Sequence, residues 1–123
     1  MKIDYVELAS DDLAATSTFL AAAFGWGFVD YGPDYKGFDG AGIDGGIDRT
    51  GERKAGALVI LKSPDLEAAL RAVEAAGGVI TRAIYAFPGG RRFLFREPGG
   101  NEMAVWAEAL IGQLLQPPVA VLR

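Results

Sequence analysis

Two spacings of apolar residues alternate along this chain, and the change from one to the other predicts its elements. Period-two alternation is typical of strands, and apolar residues three or four positions apart are typical of helices. The predicted strands are residues 2–9, 26–31, 35–39, 41–48, 57–62 and 79–86, with two more within 91–108. Because both helical patterns follow a strand and precede several more, the order predicts a mixed α+β fold.

Turn and capping residues mark where each predicted helix begins and ends. Ser10-Asp11-Asp12 supplies an N-cap before the first helix, which ends at Phe24 before Gly25. Ser63-Pro64-Asp65 opens the second helix, and Gly77-Gly78 closes it. The apolar stripe predicted for the first helix is Leu13, Thr16, Leu20, Ala23 and Phe24, with Phe19 beside it. The stripe predicted for the second is Leu66, Leu70 and Val73.

Residues 91–108 form the clearest local pattern, two alternating strands joined by a Pro-Gly-Gly-Asn turn. One face of this hairpin is apolar and is assigned to the core, with Val59 and Leu61: it carries Phe93, Phe95, Met103 and Val105. The other face carries Arg92, Leu94, Arg96, Glu102, Ala104 and Trp106. It is too charged for a core and carries too large an aromatic for an ordinary solvent face, so it is predicted to line a pocket.

An internal repeat relates the two halves of the chain. A shift of 53 positions moves Ser10 to Ser63, Asp12 to Asp65 and Leu13 to Leu66. Gly25 moves to Gly78 in the same way. The repeat predicts a single domain of two βαβββ modules, about 1–53 and 54–108, with an extension over 109–123. Each helix would cover the outer face of its module's strands in a mixed sheet. The uncovered concave faces of the two modules would together form a cup.

Composition narrows the function further. The 123 residues carry a net charge of −4 and no basic cluster longer than Arg91-Arg92, so nucleic acid is not expected as a partner. The chain has no cysteine and no histidine, which removes thiolate chemistry and the commonest metal ligand and general base. The first residues are charged and no run reaches membrane-spanning length, so a cytoplasmic protein without membrane contact is expected.

The chain resembles the vicinal oxygen chelate superfamily, which includes glyoxalase I, extradiol dioxygenases, and fosfomycin- and bleomycin-resistance proteins. The resemblance rests on the paired modules, the opening strand Ile3-Asp4-Tyr5-Val6-Glu7-Leu8, Ala23-Phe24-Gly25-Trp26, and Phe95-Arg96-Glu97-Pro98-Gly99-Gly100-Asn101-Glu102. It covers nearly the whole chain up to Glu108. It implies the cupped fold but not one reaction, since such folds host many chemistries.

The resemblance also implies four metal-ligand positions, which in the family's metalloenzymes carry His, Glu or Gln. Within one residue, they fall here at Tyr5, Gly46, Leu58 and Ala104. A lone phenolate opposite Gly, Leu and Ala is not a site for a divalent ion. The sequence therefore predicts no metal and no other cofactor.

Candidate ligand-binding residues in the first module are Tyr5, Glu7 and Asp44. A Tyr–Glu pair is suited to acid–base chemistry or to hydrogen bonding of a ligand. Asp44 and Asp48 flank Gly46 at alternate positions, where two carboxylates suit a cation or an amine; for Asp48, a solvated strand end is the favoured interpretation.

Candidates in the second module are Arg92, Arg96, Glu102 and Trp106. The two arginines are suited to clamp an anionic ligand such as a carboxylate, or to join ion pairs with Glu102, Asp44 or Glu7. Trp106 on a concave face would stack on a flat ligand; the alternative is space filling at a subunit contact.

Two functional hypotheses follow from these residues. The favoured one is a metal-free protein that binds a small planar or anionic molecule, similar to the bleomycin-resistance branch. The alternative is an enzyme of lyase, isomerase or dioxygenase type, using a metal or Tyr/Glu acid–base chemistry. A homodimer is expected, with an amphipathic tail around Leu110, Ile111, Leu114 and Leu115 covering an edge or the interface.

Overall fold

A computed structural model describes residues 1–51, 53 and 55–109. The described residues divide into two compact units: one within Asp4–Leu58, and one formed by residues 59–109 together with Met1–Ile3. The tail residues predicted to form an amphipathic turn lie outside the described residues. No helix in the described part of the chain is long and apolar enough to cross a membrane.

The first module has the predicted βαβββ order. Its elements are β1 (Lys2–Ala9), α1 (Leu13–Phe24), β2 (Gly27–Asp30), β3 (Tyr35–Asp39) and β4 (Gly45–Asp48). The strands lie in the order β2-β3-β4-β1, with β1 parallel to β4 and the other pairs antiparallel. A parallel pair needs a long crossover, which α1, β2 and β3 supply here.

The second module repeats that order. Its elements are β5 (Ala57–Lys62), α2 (Leu66–Ala75), β6 (Val79–Phe87), β7 (Gly90–Arg96) and β8 (Glu102–Glu108). The strands lie in the order β5-β8-β7-β6, with β5 parallel to β8 and the other pairs antiparallel. The α+β class and the two βαβββ modules predicted from the sequence are confirmed.

The core of the first module lies between α1 and one face of its strands. Leu13, Leu20 and Ile47 are its buried centre, and partly buried apolar residues pack around them: Leu8, Trp26, Phe28 and Phe38. The predicted stripe of α1 was wrong at its C-terminal end, since Phe24 and the neighbouring Phe19 are each 62% exposed and Ser17 is buried instead. Gly25 ends the helix in the left-handed conformation, with φ of 76°, and Phe24 remains on the surface.

The core of the second module confirms the apolar face predicted for the hairpin. Phe93, Phe95 and Val105 are buried with Leu66 and Ala69 of α2. A second group packs against them: Leu70, Val73, Ile80, Ile84 and Met103. The cores thus leave one face of each module's strands without a helix, called here its helix-free face.

The internal repeat is accurate at the helix starts. Asp12 and Asp65 are the N-caps, and each carboxylate accepts a hydrogen bond of 3.0 Å from the backbone N–H three residues later. The helix ends differ by two residues, because Gly25 is the cap of α1 and corresponds to Gly78, whereas α2 is capped by Ala76 and Gly77 takes the positive φ.

Candidate functional site

The helix-free face of the first module is built around β1. Strand residues alternate between faces, so Tyr5 and Glu7 point away from the core that Leu8 joins. Glu7 lies opposite Gly46 of β4, and Tyr35 of β3 lies opposite Asp48. This register places Tyr35 beside the two candidates from β1.

Tyr5, Glu7 and Tyr35 form a buried hydrogen-bonded cluster, named here the tyrosine–glutamate cluster. Their exposures are 5%, 6% and 5%. The hydroxyls of Tyr5 and Tyr35 are hydrogen-bonded to each other, and the Tyr35 hydroxyl donates to Oε2 of Glu7 at 3.2 Å. A buried carboxylate is stable only when hydrogen bonds replace its lost hydration, and Tyr35 provides one of them.

The tyrosine–glutamate cluster changes the ionisation of its central member. Burial raises the pKa of Tyr35 well above its ordinary value, and the nearby Glu7 carboxylate and the Tyr5 hydroxyl raise it further. Tyr35 therefore remains a neutral hydroxyl and a hydrogen-bond donor over the physiological range. Its arrangement with Glu7 can orient a polar ligand group or transfer a proton.

Tyr35 also occupies the space beside Gly46, one of the four positions where the resemblance implies a metal ligand. A Cβ at Gly46 would lie 2.5 Å from both Cε1 and the hydroxyl oxygen of Tyr35. Leu58 and Ala104 are buried and have no donor atom, and the Tyr5 hydroxyl is already bonded to Tyr35. The residues at these four positions do not fit a divalent ion.

The two aspartates around Gly46 do not share one environment. Asp44 is exposed, and its backbone carbonyl accepts from the N–H of Val6 at 3.0 Å. The Asp48 carboxylate accepts from the backbone N–H and the hydroxyl of Thr50, which accords with the strand-end interpretation. Among the described residues, no group of three Asp, Glu, His or Cys side chains is arranged to hold a metal ion.

The helix-free face of the second module carries Arg92 and Trp106 side by side, because they are register partners between β7 and β8. Trp106 is only 3% exposed, so its ring is already packed by the protein. The centroids of the Phe87 and Trp106 rings are 6.2 Å apart, and Nζ of Lys62 lies 5.0 Å from the centroid of the Trp106 ring. Stacking of a ligand on Trp106 stays a prediction, and it requires these neighbours to move.

The remaining two candidates lie at the far end of the same strands. Arg96 is exposed and is the register partner of Glu102. The Glu102 carboxylate accepts from the Thr81 hydroxyl at 2.8 Å. Arg92 hydrogen-bonds to the Tyr85 hydroxyl through its Nε, so the structure brings Arg92 together with an aromatic residue of β6.

Sequence reasoning missed Tyr35 and Tyr85 as members of these groups. Both were assigned only to strands, since the pattern does not specify which residue of a distant strand lies opposite. One clue for Tyr35 was available, because a glycine in a strand often has an aromatic ring packed over it from the neighbouring strand.

Comparison with known proteins agrees with this fold. The structure of a glyoxalase/bleomycin resistance protein/dioxygenase superfamily member from Vibrio splendidus superposes with a TM-score of 0.69, at 16% identity over 85% of this chain and 97% of that one. A variant of Streptomyces coelicolor methylmalonyl-CoA epimerase in complex with 2-nitronate-propionyl-CoA gives 0.65, at 16% identity over 90% and 96%.

A third similar structure has a bound metal. The Mn(II)-bound glyoxalase from Novosphingobium aromaticivorans superposes with a TM-score of 0.64 at 25% identity, over 86% of this chain and 38% of that one. None of the curated proteins is similar enough in sequence to count as a match. The sequence profile of the Glyoxalase/Bleomycin resistance protein/Dioxygenase superfamily matches residues 2–105. This chain belongs to that superfamily.

Proposed function

We propose that this protein is a metal-independent member of its superfamily that binds a small planar or anionic molecule on its helix-free faces. The observation that carries the proposal is the position of Tyr35. Its ring lies against Gly46 and its hydroxyl bonds to Tyr5 and Glu7, so protein atoms fill the space around two of the four implied ligand positions. Leu58 and Ala104 carry no donor at the other two.

The metal part of the proposal is tested by the metal content of the purified protein after growth with manganese, iron, nickel and zinc. We expect substoichiometric amounts of each metal. One tightly held ion per chain would contradict the proposal and would favour the alternative, a metal-dependent enzyme. A Tyr35→Ala variant serves as a comparison, since it removes the ring that lies against Gly46 without adding a ligand.

The binding part is tested by thermal shift and tryptophan fluorescence against a panel of small aromatic and anionic compounds. Trp26 belongs to the core of the first module, so Trp26→Phe leaves Trp106 as the single reporter on a helix-free face. We expect at least one compound to raise the unfolding temperature and to change the Trp106 emission. A panel without any binder would contradict the proposal.

A second function, proton-transfer catalysis, is favoured by the tyrosine–glutamate cluster. Glu7 would act as the base and Tyr35 would hold the carboxylate in place. The test is incorporation of solvent deuterium next to the carbonyl of a candidate substrate, followed by nuclear magnetic resonance. Exchange that depends on Glu7 and is lost in Glu7→Gln would establish the enzyme; equal exchange in Glu7→Gln would exclude this mechanism.

A further inference from the structure

Cationic and aromatic side chains lie in contact along the helix-free face of the second module. The Arg82 guanidinium carbon lies 3.5 Å from the centroid of the Tyr85 ring, and that of Arg92 lies 5.5 Å from the same ring. Arg92 is also 5.9 Å from the centroid of Phe87. Phe87 and Lys62 both contact Trp106, and Lys62 pairs with Glu108. These contacts define a cation–aromatic row: Arg82, Tyr85, Arg92, Phe87, Trp106 and Lys62.

A break in the register of β6 places Arg82 in this row. Arg82 and Tyr85 are three residues apart, so regular alternation would put them on opposite faces of the sheet. The register shifts between them, and Arg82 then lies opposite Leu94 while Tyr85 lies opposite Arg92. Leu94 and Arg92 share one face of β7. Such bulges are enriched near functional sites, where they redirect a side chain.

The outcome is two guanidinium groups held against one phenol ring. Arg92 is half-buried and also hydrogen-bonds to the Tyr85 hydroxyl, whereas Arg82 is exposed. Since both guanidinium groups lie against the same ring, an anion beside that ring would be attracted by two positive charges. The ring face attracts both cations, so it keeps them in place before an anion arrives.

The donor geometry favours a carboxylate attached to a flat apolar body. A guanidinium presents parallel N–H donors that match the two oxygens of a carboxylate. The half-buried rings of Tyr85 and Phe87 supply flat apolar surface beside these donors. We propose that Arg82 and Arg92, held against Tyr85, bind the carboxylate of a small aromatic acid. This inference rests on the proposed small-molecule function and specifies its ligand class.

The test is calorimetric titration of the full-length protein at low salt with 2-naphthoate and with its neutral analogue 2-naphthamide. We expect the acid to bind about tenfold more tightly than the amide, as a charge-assisted bidentate contact predicts. Phenyl phosphate tests whether the pair prefers a carboxylate or accepts any oxyanion. Tighter binding of phenyl phosphate than of benzoate would overturn the assignment to a carboxylate.

Matched arginine variants separate this site from a general charge effect. Arg82→Gln and Arg92→Gln should each weaken 2-naphthoate binding about tenfold. Arg91→Gln should change it less than about twofold, because Arg91 is the neighbouring arginine on the opposite face and pairs with Glu67 at 2.7 Å. Arg82→Lys keeps the charge without the paired donors, so an intermediate affinity would support the bidentate contact.

The outcomes distinguish this inference from the proposed function. Equal losses in Arg82→Gln and Arg91→Gln would overturn the inference, as would equal binding of the acid and the amide. If neutral compounds of the screening panel bind and no aromatic acid does, the inference fails and the small-molecule function stands. If no compound of either kind binds, both fail.

Discussion

The ring of Tyr35 occupies the space beside Gly46 that a side chain at this position would need. Any Cβ at this position would overlap the ring, which is held at its hydroxyl end by Tyr5 and Glu7. A glycine in a strand weakens the strand on its own account, so its presence here is best explained by the close approach of Tyr35. The same contact removes a position from which a side chain could hold a metal.

Gly46→Ala should therefore destabilise the protein by about 1–3 kcal/mol, the usual cost of overpacking. Urea unfolding of wild type and variant measures this loss of free energy of unfolding. The control is Gly27→Ala, since a Cβ at Gly27 would lie 3.5 Å from Asp39, an ordinary contact distance. In a Tyr35→Ala background the cost of Gly46→Ala should fall, because the ring is gone. An unchanged cost would show that Tyr35 is not the obstacle.

Tyr35→Phe should reveal the raised pKa of Tyr35 in the alkaline range. Above about pH 10 the unfolded chain loses this phenolic proton while the folded protein keeps it. The unfolded state then binds fewer protons, so stability falls as pH rises, by up to about 1.4 kcal/mol per pH unit from this group. Below the pKa of the Tyr35 phenol in the unfolded chain, its contribution to the free energy of unfolding is fully present.

The measurement is the free energy of unfolding of wild type and variant between about pH 9 and pH 11.5. The phenylalanine variant should be less stable than wild type at pH 7, because the Glu7 carboxylate loses a donor, and the difference should shrink above pH 10. Tyr31→Phe, at a residue 42% exposed, is the control and should run parallel to wild type. A parallel curve for Tyr35→Phe would contradict the raised pKa.

The two helices begin with the same capping arrangement. In each, an aspartate accepts from the third following backbone N–H, and the serine two residues earlier accepts from the N–H of that aspartate. These hydrogen bonds satisfy backbone N–H groups at the helix start that have no partner within the helix. Since these contacts are local, they can be inferred from four or five consecutive residues.

Asp12→Ala and Asp65→Ala should each lower the free energy of unfolding by about 1 kcal/mol. Asn substitutions at the same two positions retain an accepting oxygen and should change it by much less. Thermal or urea unfolding of the four variants provides the comparison. Equal losses for Asn and Ala would indicate that the carboxylate charge, and not the cap, is what matters.

The turn between β7 and β8 depends on Glu97. Its carboxylate accepts from the backbone N–H of Gly99 at 2.7 Å, and from the backbone N–H and side-chain amide of Asn101 at 2.9 and 2.7 Å. The backbone donors of Asn101 and Gly99 lower the pKa of Glu97 below its ordinary value. This turn, which is one of the motifs that carry the superfamily resemblance, is therefore stabilised by the acidic residue that precedes it.

Glu97→Ala should lower the urea midpoint at pH 7. The contribution of a carboxylate with a lowered pKa is complete above its unfolded value of about 4.3, and it is lost as pH falls through the folded value. The difference between wild type and Glu97→Ala should therefore shrink below about pH 4. A difference that is constant from pH 7 to pH 3 would indicate that the ionised carboxylate does not stabilise the turn.

The assembly of the whole molecule stays a prediction. Superfamily resemblance leads us to expect a homodimer, and sedimentation equilibrium at micromolar concentration measures it directly. An unfolding midpoint that rises with protein concentration would be expected of the same dimer. A monomer with a concentration-independent midpoint would contradict it.

Features that depend on neighbouring residues along the chain were predictable. The periods of two and of 3.6 specify the strands and helices, and the caps specify where α1 and α2 begin. The apolar face of residues 91–108 was assigned correctly, because alternation alone decides which side chains share a face. The Pro-Gly-Gly-Asn turn, with the paired modules, also identified the superfamily.

Contacts between distant strands were not predictable in this way. The cluster of Tyr5, Glu7 and Tyr35 depends on the register of β1, β3 and β4, and residues 28 and 30 positions apart meet there. Arg82 joins Tyr85 only because β6 breaks its alternation. Strand register and bulges are set by packing over the whole sheet, since a slip of one residue exchanges the two faces. The elements therefore follow from local pattern, whereas the composition of the candidate sites follows from the assembled sheet.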